Sequence, residues 1–153
     1  MTTRNVTHAT FTLTRDYPHP RQKVFSAFAD FETKRKWFGG GAPGIKASMD
    51  FRVGGREHSE GEIEVHGTRH HSRFDAIYFD IIENLRIIYA YDMDVNGEHV
   101  SASLTTIEFT DAPNGTRLKF TEQGAFLDGY DDAGVREDGT KGLLEALAKA
   151  IED

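Results

Sequence analysis

The stretch from Gly139 to Asp153, GTKGLLEALAKAIED, decides how the rest of the chain is read. Leu143, Leu147 and Ile151 recur every four residues, with Leu144 and Ala148 one step round, which makes a continuous apolar stripe at helical spacing. Ala146, Lys149 and Ala150 are strong helix formers, so propensity and periodicity agree. A lone helix of this length is marginal in water, and its stripe must therefore lie on something apolar. Each large side chain of the stripe contributes roughly 1.5–3 kcal/mol when fully buried. The surface it lies on has to come from residues between Asn5 and Gly124, which read mostly as strands. One face of a curved antiparallel sheet meets that need, and a helix gripped in this way leaves room for a cavity.

Working back from the helix, Gly124 to Gly139 is an acidic, glycine-rich loop. Its carboxylates favour the N-terminus of the helix that follows. Asp128, Asp131 and Asp132 lack the alternating ligand spacing and terminal glutamate of a calcium loop. Thr116 to Gln123 and Val100 to Thr110 form a hairpin turning at Pro113-Asn114-Gly115. Asn96-Gly97 is a strong hairpin signal, because both residue types tolerate positive φ. Ser72 to Ile82 and Leu85 to Met93 read as strands joined at Glu83-Asn84. Glu62 to His71 carries no clear period and reads as either a long hairpin or a flap. Arg56 to Glu60 returns from the Val53-Gly54-Gly55 turn, and Ile45, Ala47, Met49 and Phe51 alternate before it. Upstream, Asp30 is the N-cap of a short helix with Glu32 in its first turn, ending at Trp37-Phe38 before the glycines 39 to 41. Val24, Phe25 and Phe28 mark another helix over Arg21 to Ala29, with Pro20 suited to its first position. Ala9, Phe11 and Leu13 alternate with threonines in a half-buried first strand. The expected fold is α+β, a curved antiparallel sheet of about seven strands around a long C-terminal helix, in the order β-α-α-β6-α.

Composition excludes several functions. The chain has 153 residues, which suits a single domain over 1–153 with a sizeable core. Its 18 basic and 25 acidic residues give a net charge of −7, against nucleic acid and anionic membrane surfaces as partners. Lys34, Arg35 and Lys36 form the one local basic run. With no cysteine, disulfides and thiolate chemistry are excluded. Neither a signal peptide nor a membrane-spanning run is recognisable, and the expected location is the cytoplasm.

The element order, together with Trp37-Phe38-Gly39, Arg52-Val53-Gly54-Gly55 and Thr121-Glu122-Gln123-Gly124-Ala125-Phe126, resembles the START-like helix-grip superfamily, also called SRPBCC. More narrowly the chain resembles the bacterial branch similar to the C-terminal domain of the activator of the heat-shock-90 ATPase. Gly129-Tyr130-Asp131-Asp132, Arg136-Glu137 and Gly139 fit that branch too. It departs at Gly142-Leu143, where the branch often has Gly-Trp. The resemblance implies a hydrophobic cavity between the last helix and the sheet. Members of the superfamily bind lipids, sterols, polyketides and plant hormones, and a minority act on them as enzymes.

The expected partner is thus a small lipophilic molecule, with no cofactor and no metal. Trp37, Phe38, Met49, Phe51, Tyr78, Tyr89, Tyr91, Phe126, Leu143 and Leu147 are the candidate cavity residues, with the alternative that these aromatics fill a solid core. His58 and Glu60, on one face of a strand, are candidate acid–base groups for a polyketide cyclase or aromatase, alongside Tyr89, Tyr91 and Glu122. His66, His70 and His71 cluster nearby, with His99 as a neighbour, but His66 and His70 on one strand face lie too far apart to make a preformed zinc site by themselves. No nucleophile elbow and no phosphate cradle is present. Arg52 and Arg56 flank a turn and suit surface ion pairs better than a ligand carboxylate. Stimulation of a chaperone ATPase ranks third, since this length leaves no room for the additional N-terminal domain of the eukaryotic relative. Exposed edge strands offer a route to a homodimer.

Overall fold

The computed structural model describes residues 4–41, 44–65 and 67–152. Strand β1 (Val6–Tyr17) leads through α1 (Arg21–Ala29), α2 (Phe31–Trp37) and a short 3₁₀ turn (Phe38–Gly41) to six further strands. These are β2 (Lys46–Met49), β3 (Arg56–Val65), β4 (Thr68–Ile82), β5 (Arg86–Val95), β6 (Glu98–Ala112) and β7 (Gly115–Leu127). The chain closes with α3 (Ala133–Ala150). The strands form one seven-stranded antiparallel sheet in the order β1-β7-β6-β5-β4-β3-β2. This is the helix-grip arrangement that the α3 stripe called for.

Local chemistry explains the boundaries. Asp30 ends α1 and starts α2, and its side chain accepts from the Thr33 backbone N–H. Pro20 sits just outside α1, in extended conformation as its N-cap, and not in the first turn. The β4–β5 and β5–β6 turns place Asn84 (φ 64°) and Asn96 (φ 53°) in the left-handed region, which asparagine tolerates better than most residues. Glu62 to His71 resolves as a hairpin, with β3 and β4 paired from Arg56/Ile77 to Val65/Thr68. The acidic loop is shorter than expected. β7 runs on to Leu127, and α3 begins at Ala133 because the Asp132 side chain accepts from the Val135 backbone N–H. A capping bond outweighs the glycines at 134 and 139 that the sequence presents as loop.

The stripe on α3 is buried as expected: Leu144, Leu147 and Ile151 enter the core. The Tyr17 hydroxyl donates to the Leu144 carbonyl at 2.9 Å and pins α3 to β1. Below α3, edge-on aromatic pairs fill the closed end of the sheet. Phe25 packs on Phe109 at 5.4 Å and on Phe51 at 5.8 Å, and Phe51 packs on Tyr78 at 5.0 Å. The turn before β3 is tied to β4, Gly54 N–H donating to the Tyr78 carbonyl at 2.8 Å. Gly55 has no room for a side chain there, since a Cβ would stand 2.0 Å from the Asp50 carbonyl oxygen. Gly55→Ala is expected to cost about 3 kcal/mol, the upper end for overpacking, read as a lower urea midpoint at unchanged m-value.

Candidate functional site

Between α3, the α2 segment and the inner face of the sheet lies a cavity of about 700 Å³. Strand alternation decides who faces it. On β3, Ser59, Gly61 and Ile63 point inward; on β5, Tyr89, Tyr91 and Met93 do. Phe28, Trp37 and Phe38 form the helical wall, Phe74 and Phe120 join from the sheet, and Thr140, Leu143 and Leu144 come from α3. Glu64, Val135 and Asp138 also line it.

Of the residues singled out from sequence, Trp37, Phe38, Tyr89, Tyr91 and Leu143 stand on the cavity wall. Met49 and Phe51 pack against the core from its edge, and Tyr78 and Leu147 are enclosed within it. Phe126 lies under the Arg136 guanidinium, 5.3 Å from ring centre to Cζ. These five are packed by neighbours on the sides where a ligand would need space.

Two polar clusters meet the cavity. At the first, Lys34 and Glu57 are 3% and 5% exposed and 2.7 Å apart, and Tyr78 donates its hydroxyl to the same Glu57 oxygen. Lys34 Nζ also stands 4.7 Å from the centre of the Phe38 ring. Its position follows from helix geometry: Lys34, Trp37 and Phe38 share one face of α2 at spacings of three and four. At the second, Arg136 on α3 donates to the Tyr91 hydroxyl, to Ser101 and to Asp131, each at 2.8 Å, and reaches Glu122 at 3.3 Å. Tyr91 in turn donates to Glu122 at 2.7 Å. Burial works against the Arg136 charge, yet Tyr91, Glu122 and Asp131 outweigh it and raise its pKa. Burial also raises the Tyr89 and Tyr91 phenols, so both stay protonated, and Tyr91 is a donor to Glu122.

His58 and Glu60 lie on the opposite face of β3 from Ser59 and Gly61, away from the cavity. His58 Nδ1 is 2.6 Å from Asp75 and its Nε2 is 3.2 Å from Glu60. Glu60 also meets His71 Nε2 at 2.7 Å, and His71 Nδ1 reaches Glu62 at 3.2 Å. His99 pairs with Asp92 at 3.0 Å, His70 Nδ1 with Asn96 at 3.1 Å, and Arg73 pairs with Asp75 and Asp94. His66 lies outside the described residues. Among those described, no three such side chains converge as a metal site. Arg52 pairs with Asp50 at 2.8 Å on the surface.

The outer ladder has a signed pH consequence. Hydrogen bonds to Glu60 and Glu62 raise the His71 pKa above its ordinary 6.5, and those from His71 lower Glu60 below 4.5. The His71 contribution is therefore complete below pH 6.5 and is lost as pH rises through the raised value. The Glu60 contribution is present above pH 4.5 and is lost as pH falls through the lowered value. Urea midpoints of the wild type should fall as pH rises from 6.5 through the raised His71 value, and His71→Gln should flatten that slope. Parallel profiles for the two proteins would show that the contact does not act on folding.

A seven-stranded sheet gripping a C-terminal helix over such a cavity defines the START-like class. The chain belongs to the Activator of Hsp90 ATPase homolog 1-like protein family, whose model matches residues 18–152. Its structure is similar to that of an uncharacterized protein from Rhizobium leguminosarum, with 42% identity, 99% of each chain covered and a TM-score of 0.88. A protein from Rhizobium loti shares 46% identity over 95% of this chain and 99% of its own, with a TM-score of 0.83. An AHSA1-like protein from Aeromonas hydrophila, 15% identical, shares the fold over 94% of this chain and 92% of its own at a TM-score of 0.70. No curated protein matches the chain. Among the described residues, no helix is long and apolar enough to cross a membrane.

Proposed function

We propose that the protein binds a small hydrophobic molecule between α3 and the sheet. The observation that carries this reading is the cavity itself. Its volume of about 700 Å³ falls within the range of small-molecule sites, and its wall is mostly aromatic and aliphatic with a few convergent polar groups. Sedimentation velocity separates a monomer from a homodimer paired at the β1 or β2 edge.

Native mass spectrometry of freshly purified protein is expected to show a co-purifying small molecule. The neutral dye Nile red should bind the emptied protein saturably, one per chain. Ser72→Phe, which points a ring into the cavity from β4, should weaken that binding roughly tenfold, about 1.4 kcal/mol. A bare mass together with no saturable dye signal would end the reading.

The second reading is an enzyme of the polyketide cyclase or aromatase kind. The Glu122–Tyr91–Arg136 cluster favours it, with Glu122 as base in place of His58 and Glu60. It requires turnover in a metabolite extract that disappears in Glu122→Gln. The family description also suggests a chaperone co-regulator, which requires stimulation of an Hsp90 ATPase by the purified chain.

A further inference from the structure

Lys34 and Arg136 meet the cavity together with Glu122 and Asp131, while Asp138 at its wall is exposed and pairs with Lys141 at 3.9 Å. Both cations are already compensated, Lys34 by Glu57 at 2.7 Å and Arg136 by Asp131 at 2.8 Å and Glu122 at 3.3 Å. An incoming anion would find no free positive charge, and it would enter a low-dielectric space with like charges around it.

Glu122 is the group with spare capacity. It is 1% exposed and lines the cavity. Its hydrogen bonds from Tyr91 and Arg136 both fall on Oε2. A carboxylate accepts through both oxygens, so Glu122 can also accept from a guest that brings a donor into the cavity. The rings around it are suited to a flat guest and, through their negative faces, to a positive one. Tyr91 already takes the Arg136 guanidinium on its face, and Phe38 takes Lys34.

We infer that the cavity selects an aromatic molecule bearing a hydrogen-bond donor, a hydroxyl or preferably an ammonium, which donates to Glu122, and that it rejects carboxylates. The inference rests on the ligand-binding reading above and narrows it to a chemical class.

Three probes with one ring system test it: 2-naphthylmethylamine, 2-naphthylmethanol and 2-naphthoate, titrated calorimetrically into the emptied protein at neutral pH. The amine should bind at least about tenfold more tightly than the carboxylate, with the alcohol between them. Glu122→Gln should shrink that ratio several-fold while still taking up Nile red. If the variant does not fold, the wild-type ladder decides alone. Carboxylate binding equal to or tighter than amine binding, or Nile red binding with no amine preference, overturns the inference and leaves the cavity as a binding site. A ratio unchanged in folded Glu122→Gln also overturns it, because the selectivity would then arise elsewhere. Failure of Nile red and all three probes overturns the ligand-binding reading and this inference with it.

Discussion

Lys34→Met is expected to destabilise the protein by about 3–5 kcal/mol at neutral pH, because it strands the Glu57 carboxylate in the interior. Lys34 and Glu57 have side-chain exposures of 4% and 6%, and Tyr78 also donates to the carboxylate. Removing the cation leaves a buried charge whose desolvation the Tyr78 bond does not repay. The double variant Lys34→Met/Glu57→Leu should recover most of the loss, since it removes both charges together. Urea titrations of the wild type, the single variant and the double variant provide the check. A single-variant loss below about 1 kcal/mol would place the pair in the class of exposed ion pairs.

Leu147→Ala is expected to cost about 2–5 kcal/mol. Leu147 is 0% exposed, and it sits where α3 meets the core, next in the stripe to Leu144 and Ile151. A truncated side chain there leaves a hole that the helix cannot close, because the Tyr17 hydroxyl bond to the Leu144 carbonyl holds α3 in place. The same truncation at Leu143, on the cavity wall, removes less packing and should cost under half as much. Equal losses at the two positions would mean that α3 grips the sheet differently from the arrangement described.

Most elements were legible because their signals are local. Alternation in β1, helical spacing in α1 and α3, and the Asn96-Gly97 turn each lie within a dozen residues. The β3–β4 hairpin was not legible. Its outer side carries His58, Glu60 and Glu62, and its inner side offers Ser59 and Gly61 to a cavity, so neither face of β3 shows an apolar period. The N-terminus of α3 was hidden by its glycines, although the Asp132 cap was visible as an acidic residue. Lys34 was read as part of a basic run, whereas its spacing to Trp37 and Phe38 placed it on the inner face. Arg136 was noted only for the resemblance it carries; its role needs β5, β6 and β7 to bring Tyr91, Ser101 and Glu122 together.

The sequence by itself determined the helix-grip class, because periodicity, turns and caps are written in neighbouring residues and admit few arrangements. Only the tertiary structure decided which aromatics face empty space and which close on one another. Phe51 and Tyr78 alternate as plausibly as Tyr89 and Tyr91, yet α1 fills the volume in front of the first pair and leaves it open before the second. A void belongs to no residue. It arises where packed elements fail to meet, and that depends on contacts between parts of the chain far apart in sequence.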